Sequence, residues 1–253
     1  MTRRLLMVLA SLLATPVMAR PAATLEDLRA LAAQKSWAEL LERAEDLPPA
    51  KRSDTWRTLV TEAATAEVEA ATAPDDKDPF AVARKARALG QRYEFLAKAP
   101  GFSSARDARG LKELERCLES EKSGCVDTYR ELARDAGSET MLQAARLVKR
   151  SHFAYIAMPL FAAAVREGKA AGACKDEALA EAVLAALDLP STDARAGDAR
   201  KVGFEWCWSA LGARLKAATV GASSYFLTNT CVPMRARKAL TELQDDLCED
   251  AGL

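Results

Sequence analysis

The sequence predicts an all-α fold of stacked helical hairpins, solenoid-like or arranged as an irregular bundle, and stapled by disulfides. Three observations carry this expectation. Apolar residues recur at i, i+3, i+4 spacing along most of the 253 residues, and no segment keeps the strict alternation of a half-buried strand. Six cysteines, an even number, all follow an N-terminal segment patterned like a secretory leader.

That leader comes first in the chain. Arg3 and Arg4 precede the apolar run from Leu5 to Ala14, and Thr15-Pro16-Val17-Met18-Ala19 supplies a helix breaker and a small-residue cleavage site. The apolar run is about ten residues long, against the ~20 needed to span a bilayer. The expectation is a signal peptide over 1–19, cleaved after Ala19, and a mature helical domain over 20–253 with a possible sub-division near 137–150. No cysteine adjoins the cleavage region to carry a lipid, so release into the periplasm or the medium is expected.

Helix signals then follow in order. Thr24 opens a helix carrying Leu25, Leu28 and Leu31. Ser36 and Glu39 have capping-box spacing ahead of Trp37, Leu40, Leu41 and Ala44, and Pro48-Pro49 closes that hairpin. Ser53 starts a helix with Trp56, Leu59, Val60 and Ala63 on one face, and Asp78-Pro79 reads as an N-cap and first-turn pair before Phe80, Ala83 and Leu89. Ser104 and Asp107 are expected to cap a helix bearing Ala108, Leu111, Leu114 and Leu118, with Cys125, Val126, Tyr129 and Leu132 on the next one.

Residues 153–165 run for thirteen positions without a charge, so this is the expected centre of the core. Pro159 within the run predicts a kinked or broken buried helix instead of a membrane span. The last third predicts a helix from Asp176 to Leu187, a turn-rich link from Asp188 to Gly197, one long helix from Asp198 to Val220, and a final helix ending near Cys248.

All six cysteines, Cys117, Cys125, Cys174, Cys207, Cys231 and Cys248, are expected in disulfides, since there is no CxxC pair and His152 is the single histidine. Cys117 and Cys125 flank a polar hairpin tip and should pair. Cys231 and Cys248 flank one predicted helix, which would hold them roughly 20 Å or more apart against a limit of about 7 Å between Cα atoms. The remaining pairing expected from the chain path is Cys207 with Cys231 and Cys174 with Cys248.

Charge excludes some functions. Removing Arg3 and Arg4 with the leader leaves 34 basic residues against 36 acidic ones, mixed in sign along helical faces, so no nucleic-acid partner is expected. There is no GxSxG, HExxH or glycine-rich phosphate loop, and neither metal nor cofactor is expected. His152 would have to serve any Ser-His or Cys-His arrangement, yet it stands at the start of the most apolar segment and reads as structural. Glu119-Ser120 resembles the Glu-Ser pair of lytic transglycosylases over two residues only. The Gly-Leu-Met-Gln type segment of those enzymes is missing, and the pair reads as a solvated loop.

Trp206-Cys207-Trp208 is the most unusual local feature. At 100° per residue, Phe204, Cys207, Trp208, Leu211 and Leu215 share one face, while Trp206 falls elsewhere with Gly203, Ala210 and Ala213. Trp206 is therefore the candidate binding residue, whereas Trp37 and Trp56 belong to the core. The leading expectation is an exported scaffold or binding protein of the bacterial envelope, with an envelope protein as partner, no transmembrane segment in the mature chain and no catalytic residues. The alternative is a cell-wall glycan hydrolase or lyase using carboxylates that no motif identifies, and a third reading is a small-ligand carrier with an apolar cavity near 153–165.

Overall fold

The protein is all-α. The computed structural model describes residues 22–71, 78–122, 124–148, 154–166, 172–187, 189–190 and 192–219, and no strand occurs among them. The signal-peptide region, His152, Cys231 and Cys248 lie outside the described residues.

Helix α1 (Leu25–Ala33) opens on a capping box: Asp27 N–H donates to Thr24 Oγ1 at 3.1 Å, and Asp27 Oδ2 accepts from Thr24 N–H at 2.8 Å. It ends with Lys35 in the left-handed region (φ 55°), where Lys35 N–H donates to Ala32 and Ser36 N–H to Leu31. This ending explains a difference at the next helix, α2 (Trp37–Arg43). Ser36 is its N-cap residue but makes no side-chain cap, and its N–H, which a reciprocal Glu39 cap would need, is already given to Leu31.

Helix α3 (Asp54–Ala70) buries Trp56, Leu59, Val60, Ala63, Ala64 and Val68 against α1, α2 and α5. The polar ends of its aromatic cluster are satisfied. Trp56 Nε1 donates to the Ala44 carbonyl at 2.9 Å and the Tyr93 hydroxyl to that of Leu41 at 3.2 Å, so both rings take up carbonyls freed at the end of α2.

Helix α4 (Ala81–Arg92) starts two residues after Pro79, with Phe80 at its N-cap and Asp78 Oδ1 accepting from Phe80 N–H at 3.1 Å. Helix α5 (Pro100–Glu119) begins at Pro100, not at Ser104. Its first residue fits the fixed φ of proline, and the expected caps Ser104 and Asp107 lie inside it. α5 is the spine of the molecule. Its first half supplies Phe102 and Ala105 to one apolar cluster shared with α1 to α4, and its second half supplies Leu114 and Cys117 to another.

The second cluster holds α6 (Cys125–Leu132), α7 (Ser138–Val148), α8 (Met158–Val165), α9 (Glu177–Leu187), α10 (Ala194–Arg200) and α11 (Trp208–Thr219). Residues on both sides of 137–150 thus share one interior, with α7 packed on α8. The uncharged run does sit at its centre. Ala154–Ala157 forms a 3-10 turn, Pro159 falls in the first turn of α8 where its missing N–H costs nothing, and Met158, Leu160 and Phe161 are fully buried. Among the described residues no helix is long and apolar enough to cross a membrane.

Candidate binding surface and buried polar groups

The expected long helix from Asp198 to Val220 is broken. α10 starts at Ala194 on an Asp193 cap, a π-helical segment spans Lys201–Trp206, and α11 starts only at Trp208. The Cys207 N–H donates to the Val202 carbonyl at 2.8 Å, one residue further back than in an α-helix. That extra residue per turn shifts the faces. Gly203, expected on the same face as Trp206, is buried while Trp206 is not, and a Cβ there would stand 3.1 Å from Val183 Cγ1 of α9 and 3.5 Å from Leu215 Cδ1.

Gly203 thus lets the π segment approach α9 closely. Val183 is β-branched and stiff on its helix, so it has little room to turn away. Gly203→Ala is expected to destabilise by about 1 kcal/mol, overpacking outweighing the better helix propensity. Urea denaturation checks this, and a variant as stable as the wild type would show that α9 can yield.

The break also decides a disulfide. Cys117 and Cys125 pair as expected, with Cα atoms 5.9 Å apart across the α5–α6 tip. Cys207, however, pairs with Cys174 at a Cα separation of 5.3 Å, not with Cys231, and Cys174 consequently does not pair with Cys248. The expected pairing assumed a return of the chain along one straight helix. With the helix interrupted at Cys207, that residue is buried where the 3-10 turn Ala173–Lys175 meets α11.

The same turn displays Trp206. It is 38% exposed, the one large apolar side chain left so among the described residues, while its neighbours Val202, Phe204 and Cys207 are buried. The Cys174–Cys207 bridge anchors the residue that follows Trp206, and so restrains the backbone from which the indole projects. Trp208 is partly buried, its ring 5.7 Å from that of Phe204 and resting on Gly212. Of the other residues singled out, Trp56 is buried, Trp37 is partly buried against the N-terminal cluster, and Glu119 is exposed at the end of α5.

Two further side chains with polar groups are buried, Glu113 and Tyr129. Glu113 is 1% exposed, and its carboxylate accepts from the backbone N–H groups of Val82 at 3.1 Å and Ala83 at 2.9 Å. It thus caps α4 from another helix, where the first-turn donors and the helix dipole favour a negative charge. Burial nonetheless raises its pKa, opposed by those two N–H donors and by Arg109. The sequence carried one signal for it: a carboxylate at 113 falls on the apolar stripe of Gly110, Leu114 and Cys117.

The other group is Tyr129, buried on α6, its pKa raised by burial and by Asp107. Asp107 itself pairs with Arg106 at 2.8 Å and accepts from Thr140 Oγ1 at 3.2 Å, tying α5 to α7. Among the described residues no three His, Cys, Asp or Glu side chains gather as a metal site would require. In comparisons with protein-family models, curated proteins and solved structures, nothing matches this chain.

Proposed function

We propose that the chain is an exported helical scaffold that binds another protein of the cell envelope through a surface centred on Trp206. The exposure of this indole is the observation that carries the reading. A tryptophan exposed beside buried Val202, Phe204 and Cys207 offers a large rigid apolar anchor, the kind of residue that dominates binding energy at protein interfaces. The Cys174–Cys207 bridge and the buried faces of the π turn hold its backbone in place, which lowers the ordering cost on association. Two disulfides fit an oxidising compartment, in keeping with a leader removed after Ala19.

The test is affinity capture from an envelope extract with the oxidised mature protein, followed by direct titration of the captured protein, in parallel with Trp206→Ala. Only 38% of the residue is exposed, so truncation should cost about 1–2 kcal/mol of stability through lost packing, and binding is compared under conditions where both proteins are folded. Binding should weaken by more than 2 kcal/mol, about thirtyfold. Equal binding by the two proteins would remove Trp206 from the interface, and recovery of glycan fragments alone would replace this reading with an envelope hydrolase or lyase. The leader is checked by sequencing the exported protein, which should start at Arg20.

A further inference from the structure

Tyr129 is 1% exposed, and its hydroxyl has no hydrogen-bond partner in the protein. Buried hydroxyls left in that state are rare, because the water they give up is normally replaced by another partner. The ring is fixed by close packing: a Cβ on Gly110 would meet its Cε2 at 3.2 Å, so α5 approaches α6 at a residue with no side chain. The hydroxyl feels the charges of both Asp107 and Arg106. These two residues line a small cleft with Ala83, Gly110, Tyr129, Leu132 and Ala133, whose interior is sized for about one water molecule.

The chemistry of that cleft selects its occupant. Arg106 already donates through Nε to Asp107 Oδ1, so the pair is internally neutralised and offers no net charge to an anion. One carboxylate is too few for a divalent cation. Asp107 Oδ2 accepts from Thr140 and, with two acceptor sites per oxygen, can accept once more. What fits is a neutral molecule of one heavy atom that accepts from the phenol and donates to the carboxylate.

We propose that this cleft is a specific site for one water molecule, accepting from the Tyr129 hydroxyl and donating to Asp107, so that α6 is fastened to α5 and, through Thr140, to α7. Tyr129→Phe keeps the ring and its packing but removes the donor. Thermal unfolding of the oxidised mature protein should show Tm lowered by about 3 °C in the variant. In the wild type, water-to-protein cross-relaxation in NMR should reveal a long-lived water at the Tyr129 ring. A Tyr129→Phe protein that melts at or above the wild-type temperature would overturn the site, because deleting an unpartnered hydroxyl relieves the fold. Absence of the water signal in the wild type would overturn it independently, including where the variant does not fold.

Discussion

Glu113→Ala is expected to lower the unfolding free energy by about 3 kcal/mol, because two backbone donors of α4 lose their acceptor in a place water does not reach. The loss is large for one surface-distant carboxylate since Val82 and Ala83 cannot turn their N–H groups elsewhere without unwinding the first turn of α4. Urea denaturation should show the midpoint falling with little change in slope, the mark of a less stable but equally compact state. A loss below about 1 kcal/mol would mean that solvent caps the helix once the side chain is gone.

The same residue predicts a pH dependence whose sign follows from its environment. Its pKa in the folded protein lies above the ordinary value of 4.5, burial being the largest cause. Charging therefore costs the folded state more than the unfolded one. The stability associated with the neutral form is present below the ordinary value and is lost as pH rises through the raised one. Glu113→Gln, which does not titrate, should lack this decline, so the stability gap between wild type and variant should change in that interval and level off on either side. A gap independent of pH would show that the carboxyl titrates as it does in the unfolded chain.

Breaking Cys174–Cys207 carries the other large effect. Its ends are 33 residues apart in sequence against 8 for Cys117–Cys125, and loop-closure entropy gives about 4 kcal/mol for the longer loop and about 2.5 for the shorter. Replacing Cys174 and Cys207 together by alanine should thus destabilise more than replacing Cys117 and Cys125. A peptide map of the unreduced protein should link the Cys174 peptide to the Cys207 peptide. A Cys207–Cys231 link in that map would refute the pairing outright. Under the function proposed above, loss of the longer bridge also weakens binding at Trp206, since the backbone there loses its covalent tie to Cys174.

Helical character, the Cys117–Cys125 bridge, the burial of Trp56 and the placing of the uncharged run in the core were all legible in the chain. Each depends on residues only a few positions apart, whose spacing sets the face and whose prolines and caps set the ends. Exposure of Trp206 was legible for a weaker reason: a helical wheel put it off the apolar stripe, although the wheel misplaced Gly203 because one π turn carries an extra residue. Three features were not local and were decided by tertiary structure. Glu113 reaches the start of α4 from about thirty residues away in sequence, Tyr129 is buried because α5 presents Gly110 to it, and Cys207 meets Cys174 only because the chain breaks direction at the end of the π segment. Periodicity reports which side of a helix is apolar, but not which neighbour covers it, and it is that neighbour which satisfies a buried charge or completes a disulfide.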